Sequence, residues 1–460
     1  MKHFPGSCRL MDGETSSTLR PYPERSDQMK HPAIKFLSFF LVLGMLISIC
    51  GCSGIRLRKD PDPNGGSGGE VKSYEAVLSP KEIKPFSSSF TSGLNRYGFD
   101  VLLDLYDGKN IAVSPASLEL ALLMTAMGAT GKTGEEMFAS LQMSGLSKEE
   151  VLESVAQLMW RANNNSMEAA NSLWLQDGYG FAQKYLDICG EDFMADLYTV
   201  DYENAAADAT ERINEWAEDK THGKIEKILD EDLDDSTRLV LVNALYFLGD
   251  WATPFEANST WDDTFHGASG DSEVPFMHSE WDVSYYDGKT FQLIILPFLG
   301  DDGQVGPFAM SFILPKEGCS PEDVAEEMTE EGFETLIKEA RSVKVQISLP
   351  KFEFEYGTSM VDTMKALGMK EAFSGSAQFD EMTGGENDLF VSNIIHKTYI
   401  RVDEEGAEAA AVTAVIMTES AMPFDEPDPI VFNADHPFFF TIYDTTDGTM
   451  LFTGVTANLE

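Results

Sequence analysis

The segment Glu404-Glu-Gly-Ala-Glu-Ala-Ala-Ala-Val-Thr-Ala414 decides how the rest of the chain is interpreted. It follows a strand-like run at residues 398–402 and precedes the acidic, turn-rich residues 419–429. Its alanines favour a helix by propensity, whereas alternation favours a strand with one face of small or apolar side chains. That face would carry Ala407, Ala409, Ala411, Thr413, Val415 and Met417. Because the segment is compatible with a loop, a helix or a central strand, we expect the function to lie here.

The composition limits the classes of protein and partner. The chain has 460 residues, of which 43% are apolar and 11% aromatic, enough for a large globular core. The formal net charge of -44 argues against nucleic-acid binding through phosphate contacts and indicates a solvated acidic surface. No Cys/His spacing of a zinc site is present, so we expect no metal and no cofactor. Cys189 and Cys319 could form a disulfide or remain free thiols.

The first 85 residues predict targeting and tethering. Residues 36–50, FLSFFLVLGMLISIC, are short for a membrane span and typical of a signal-peptide core. Their end, Ile49-Cys-Gly-Cys52, resembles a bacterial lipoprotein signal, which makes Cys52 the lipidated first residue of the mature chain. A simple secretory peptide and an uncleaved anchor are the alternatives.

Met29 looks like the natural start, so residues 1–28 are interpreted as a mis-assigned extension of the gene start. Residues 29–51 are then the signal peptide, and residues 52–85, rich in Gly, Pro and Ser at 60–69, form a flexible tether. We expect a secreted protein. It would be lipid-anchored to the outer face of a bacterial or archaeal membrane, or extracellular.

Residues 86–460 are predicted to form one α+β domain. Helical spacing dominates the first half, and alternation dominates the second, without a βαβ rhythm or a second linker. Ser114 and Pro115 are predicted as the N-cap and first residue of a helix that is apolar all round. The apolar run at 239–247 predicts a strand buried on both faces, and Asp447-Gly448 predicts the turn of a C-terminal hairpin.

Enzyme motifs are weak in this sequence. Residues 128–133 contain a GKT, but position 126 is Ala where a phosphate loop requires Gly, and the preceding segment is helical. HExxH is absent, and the one GxSxG match, at residues 65–69, lies in the Gly-rich tether and not between a strand and a helix as a catalytic serine requires. His396 lies in an apolar strand context, which favours a hydrogen-bonded core histidine over a catalytic base.

Several blocks, in their order and spacing, resemble the serpin family across residues 86–460. They are residues 110–118 with 128–133, 170–175, 213–216 with 221–225, 241–247, 349–352 and 434–439. The resemblance implies three β-sheets, about nine helices and an exposed C-terminal reactive loop. It also implies a suicide inhibitor rather than an enzyme. The target protease cleaves the loop, forms an acyl-enzyme, and is trapped when the loop inserts into the central sheet.

The opening segment resembles the reactive-loop hinge of this family. The hinge residues are Glu404, Glu405, Gly406, Ala407, Glu408, Ala409, Ala410, Ala411, Val412 and Thr413. Insertion requires small inward side chains, which Ala407, Ala409 and Ala411 supply, and Gly406 would let the backbone pivot. No proline lies between Gly406 and Ala421, so every amide could join a ladder.

Counting along the loop as in the family places the cleaved bond between Ser420 and Ala421, with Met422 as the rival. A small residue there favours an elastase-like or subtilisin-like protease. A trypsin-like target is disfavoured because no Lys or Arg follows Asp403.

The resemblance also implies residues that control opening of the central sheet. Ser114, Ser117, Asn243 and His396 match a hydrogen-bonded cluster beneath the sheet. Trp251, Lys351 and Glu404 match the point where the hinge enters, and we expect a Lys351–Glu404 ion pair. Two residues depart from the family pattern, Ala407 in place of Thr or Ser and Leu248 in place of Lys.

The alternatives to a protease inhibitor are a non-inhibitory binding or storage serpin and a serine hydrolase. We expect a monomer.

Overall fold

The computed structural model describes residues 86–162, 167–300, 302–385, 389–407 and 428–460. Within these residues the chain forms ten α-helices and sixteen strands, which confirms the α+β class. The helices are α1 (Ser88–Leu105), α2 (Pro115–Met127), α3 (Gly131–Ser140), α4 (Lys148–Ala162), α5 (Gln183–Glu191), α6 (Tyr202–Lys220), α7 (Pro321–Glu331), α8 (Phe333–Glu339), α9 (Val361–Ala366) and α10 (Asp380–Thr383). The strands are β1 (Ile111–Val113), β2 (Met167–Gln176), β3 (Ala195–Val200), β4 (Leu239–Phe247), β5 (Gly249–Asp250), β6 (Thr260–Gly267), β7 (Gly270–Asp287), β8 (Phe291–Leu299), β9 (Val305–Pro315), β10 (Arg341–Pro350), β11 (Phe352–Ser359), β12 (Ile395–Val402), β13 (Gly406–Ala407), β14 (Ile430–Asn433), β15 (Phe438–Asp444) and β16 (Thr449–Thr456).

Several predictions concern residues outside this description. The signal peptide, Cys52, the tether and loop residues 408–427 lie there, so these predictions stay predictions. Among the described helices, none combines the length and apolarity that a membrane crossing needs. In the same part of the chain, no three His, Cys, Asp or Glu side chains group as metal ligands would.

The N-terminus of α2 has the predicted local structure. Ser114 is the N-cap, its hydroxyl accepts the backbone N–H of Ser117 at 3.1 Å, and Pro115 is the first helical residue. All residues of α2 except Ala121 are buried, as the apolar pattern predicts. The helix therefore lies inside the domain, where its first turn can contact strands from distant parts of the sequence.

Among the described residues the strands form four hydrogen-bonded β-sheets. The largest has the order β1-β16-β15-β9-β8-β7-β10-β14, with β6 paired to β7. The others are β3-β2-β4, β11-β12 and β13-β5. The predicted C-terminal hairpin is confirmed by antiparallel pairing of β15 with β16. Strands β4 and β12 thus belong to different sheets, and the candidate site lies where these two strands end.

Two apolar clusters hold these layers together. The larger cluster lies among the sheets and α1, α2 and α9. The smaller lies between α6 and the β3-β2-β4 sheet, around Trp174, Tyr202 and Trp216. Cys189 is buried, Cys319 is partly exposed, and both are free thiols. The alternative of a disulfide between them is therefore excluded in this structure.

Candidate functional site at the end of the central strands

The chain reverses direction directly after β12. The Asp403 carboxylate accepts the backbone N–H groups of Glu405 at 2.9 Å and Gly406 at 3.3 Å. The backbone N–H of Asp403 donates to the Gly406 carbonyl at 3.0 Å, and Arg401 donates to the other Asp403 oxygen at 2.6 Å. An acidic side chain that satisfies turn amides in this way fixes a tight reversal. The two residues after the turn are therefore aimed back along β12.

Those two residues, which form β13, pair with β5. Gly406 lies opposite Asp250 and Ala407 opposite Gly249 in antiparallel register, and Ala407 is only 1% exposed. A Cβ at position 406 would overlap the Gly249 carbonyl oxygen and lie 2.9 Å from the Asp250 Cα. Gly406 is not among the residues with positive φ. The glycine is therefore required here for close approach of two backbones, and its predicted role as a pivot stays a prediction.

Trp251 and Lys351 bind the hinge from two sides. The indole N–H of Trp251 donates to the Asp403 carbonyl at 2.9 Å, and its backbone N–H donates to the Glu405 carbonyl at 2.8 Å. The expected Lys351–Glu404 ion pair is present at 2.7 Å, and Thr260 donates to the second Glu404 oxygen at 2.8 Å. Burial alone would raise the pKa of Glu404. The bonds from Lys351 and Thr260 outweigh burial and hold that pKa below its ordinary value.

The four residues expected beneath the sheet also meet. The Ser117 hydroxyl donates to the Asn243 side chain of β4, and Ser114 donates its backbone N–H to Nε2 of His396 in β12 at 3.0 Å. The Ser114 hydroxyl donates to the Leu451 carbonyl at 2.7 Å. The first turn of α2 therefore binds both β4 and β12, two strands that belong to separate sheets.

His396 is neutral in this arrangement. Complete burial lowers its pKa to about 3, and Nε2 must keep its lone pair to accept the Ser114 N–H. This agrees with the interpretation of His396 as a core histidine. Its role in opening the sheet stays a prediction.

Sequence reasoning missed one residue that extends this network, Asn171, and a second beside His396, Lys397, with contacts of its own. Asn171 in β2 accepts a hydrogen bond from the Asn243 side chain at 2.6 Å and donates to the Phe193 carbonyl at 2.7 Å. Lys397 in β12, 10% exposed, donates to the Lys227 carbonyl at 2.6 Å and to Asp230 at 2.8 Å. Lys397 therefore fastens the segment that follows α6 to β12.

The sequence carries one signal of how the Lys397 side chain packs, although none of its partner Asp230. Gly357 lies opposite Lys397 in the β11–β12 register, where a Cβ would lie 2.9 Å from the lysine Cγ. A lone glycine in an alternating strand can mark such a close approach. The other predicted site residues, including Ser420, Ala421 and Met422, lie outside the described residues.

Comparison with known proteins agrees with this architecture. The family model described as Serpin (serine protease inhibitor) matches residues 92–459. An uncharacterized serpin-like protein of Thermococcus kodakarensis is 35% identical over 427 residues, which cover 90% of this chain and 97% of that protein. Intracellular coagulation inhibitor 2 of Tachypleus tridentatus is 32% identical over 373 residues, 79% of this chain and 89% of that protein. The crystal structure of the thermophilic serpin tengpin in its native state is 28% identical with a TM-score of 0.73, covering 84% of this chain and 97% of that one.

Proposed function

The chain belongs to the serpin family, and on that premise we propose that it is a suicide inhibitor of serine or cysteine endopeptidases. Most members of the family are protease inhibitors and not enzymes. The observation that carries the proposal is the pairing of Gly406 and Ala407 with β5 directly after the turn at Asp403. These two residues have the direction of a new strand between β4 and β12.

The proposed reaction uses the chemistry of the protease. Its serine hydroxyl or cysteine thiol attacks the carbonyl carbon of the scissile residue, and the peptide C–N bond breaks. The new amino terminus leaves with a proton, while the upstream part of the loop stays joined to the protease as an ester or thioester. Insertion of that part as a strand then drags the protease along and distorts its active site, so that the acyl-enzyme is not hydrolysed.

The observed register supports the predicted inward face. A strand that continues the β13–β5 pairing would place residues 409 and 411 on the same face as the buried Ala407. If the same pairing continues for six residues from the Ala407–Gly249 pair, position 413 lies opposite Asn243. The inserted strand would therefore pass the Ser117–Asn243 contact and separate it from His396.

The proposed targets follow from the loop sequence. Ser420–Ala421 is the proposed scissile bond, with the bond at Met422 as the rival, and an elastase-like or subtilisin-like protease is the proposed partner. The test is incubation of the full chain with each protease class, followed by a denaturing gel and mass determination of the released C-terminal peptide. A covalent band that survives denaturation supports inhibition and identifies the bond. Complete cleavage without such a band would instead favour the non-inhibitory binding or storage alternative.

A pair of adjacent substitutions tests insertion itself. Ala409→Asp would place a charge on the inward face and convert the inhibitor into a substrate, because a buried unpaired carboxylate is strongly disfavoured. Ala410→Asp is the matched control, since its side chain would point outward and the covalent complex should still form. The ratio of inhibitor molecules cleaved to protease molecules trapped measures both variants. Equal trapping by both would contradict insertion in this register.

We also propose that the monomeric protein acts at a cell surface. The support is the lipoprotein-like sequence around Cys52 and the tether at residues 52–85. Expression of the complete gene in a bacterium with radiolabelled fatty acid tests this. Label on the protein that disappears in Cys52→Ala supports the anchor, whereas an unlabelled protein in the medium would indicate simple secretion.

A further inference from the structure

Helix α2 contains a carboxyl group that is buried without a partner. Glu119 is 1% exposed, and neither carboxylate oxygen has a hydrogen-bond partner in the described part of the chain. The side chains one turn away on the same helix are apolar, namely Pro115, Ala116, Leu122 and Leu123. Such surroundings strongly disfavour an ionised carboxylate, whereas the neutral acid is tolerated at lower cost.

The groups that face Glu119 leave it without a counter-charge. From α1, Tyr97 is the titratable group that interacts with it electrostatically, and burial together with Glu119 raises the pKa of Tyr97 well above its ordinary value. Strand β16, which also packs on α2, has the sequence TMLFTGVT and no ionisable side chain. Within the described residues, α3, α5 and β4 contribute no charge that shifts Glu119. Burial therefore raises the pKa of Glu119 well above its ordinary range.

A second buried glutamate shows what a stable carboxylate requires in this fold. Glu327 is 7% exposed, yet it accepts the backbone N–H groups of Lys289 and Thr290, each at 2.8 Å, and the Thr290 hydroxyl at 2.6 Å. Burial alone would raise its pKa, but these donors outweigh burial and lower it. Glu119 has none of these donors. Glu119 also lies deeper in the fold than Glu327, so greater burial and the missing donors both disfavour its ionised form.

We propose that Glu119 is a proton-controlled stability element, protonated in the native fold and destabilising that fold when it gives its proton to the solvent. From about pH 4.5 up to the raised pKa, the native state holds one proton more than the unfolded chain. Each pH unit in that window therefore lowers the folding equilibrium constant about tenfold. The native fold is thus most stable on the acid side of neutrality with respect to this group.

The position of Glu119 connects this effect to the candidate site. The same helix carries Ser114 and Ser117, whose bonds hold β12 and β4. Ionisation would loosen the packing of α2 against α1 and so act on the helix that holds both strands. The inference concerns stability of the native fold and stands whether or not the chain inhibits a protease.

The test compares the full chain with its Glu119→Gln variant in urea unfolding, followed by tryptophan fluorescence from about pH 5 to about pH 8. Glutamine keeps the shape and polarity but cannot ionise. We expect the folding equilibrium constant of the variant, relative to that of the wild type, to rise about tenfold for each pH unit. The matched control Glu327→Gln removes an ionised acceptor and should lose stability instead. Parallel pH profiles of wild type and Glu119→Gln would overturn the proposal.

A measurement on the wild type keeps the proposal testable if the variant does not fold. Infrared spectra near pH 7 distinguish the carbonyl stretch of a neutral carboxylic acid from the bands of carboxylates. We expect one neutral carboxyl group in the native protein, and its band should vanish on unfolding at the same pH. Absence of a neutral carboxyl band in the native protein would overturn the assignment of a protonated Glu119.

Discussion

The buried His396 predicts a specific dependence of stability on pH. In the unfolded chain a histidine titrates near pH 6.5, whereas burial lowers the pKa of His396 to about 3 in the folded protein. Below pH 6.5 the unfolded state therefore binds a proton that the native state does not, and stability is lost as the pH falls towards the folded pKa. At pH 5, about 1.5 units below the unfolded pKa, the loss is about 2 kcal/mol.

The perturbation is His396→Gln, which keeps an acceptor for the Ser114 N–H but cannot be protonated. Urea unfolding of freshly purified native protein at about pH 5, 6, 7 and 8 gives the free energy of unfolding of both forms. We expect the wild type to lose about 2 kcal/mol relative to the variant between pH 7 and pH 5. The opposite slope from Glu119 is common to both proteins and cancels in the difference.

An exposed histidine provides the control. Hydrogen bonding to Asp271 raises the pKa of His266, so His266→Gln should change the pH dependence in the opposite direction. Parallel unfolding profiles for the wild type and His396→Gln would refute the reasoning. They would mean that His396 takes up a proton in the native state, with the Ser114 contact broken.

Two further predictions concern the hinge. Gly406→Ala should destabilise the native fold by about 1–3 kcal/mol, because its Cβ overlaps the backbone of β5 and forces β13 away, and thermal unfolding measures the loss. A double-mutant cycle with Lys351→Met and Glu404→Gln should give a coupling of about 1 kcal/mol, since Lys351 is about one-third exposed to solvent. No change in melting temperature for the first, or zero coupling in the second, would contradict these contacts.

Local features of the fold were predictable from the sequence. Ser114 and Pro115 specify a helix start through their own backbone preferences, and the structure begins α2 where they do. The Lys351–Glu404 pair was expected because both positions match a family pattern. Such features depend on a few neighbouring residues or on a known template.

The remaining features depend on partners that are distant in sequence. The Lys397–Asp230 contact joins residues 167 positions apart, and the glycine opposite Lys397 gives no indication that Asp230 is its partner. Glu119 lies in a run that correctly predicts a buried helix, but only the packed neighbours show that its carboxyl group has no donor. Gly406 was expected to pivot, whereas the close approach that requires it became visible only with β5 in place.

The two ends of the described domain are interleaved, and this constrains when the chain can fold. The Asn110 side chain donates to the Asn458 carbonyl, 348 residues later, and the Phe86 N–H donates to Asp447, 361 residues later. Ser114 likewise binds Leu451, so α2 receives its last partner only with β16. During synthesis, α1, β1 and α2 therefore keep part of their apolar surface exposed until β16 has left the ribosome. A chain truncated before β16 would leave its first helices without these partners.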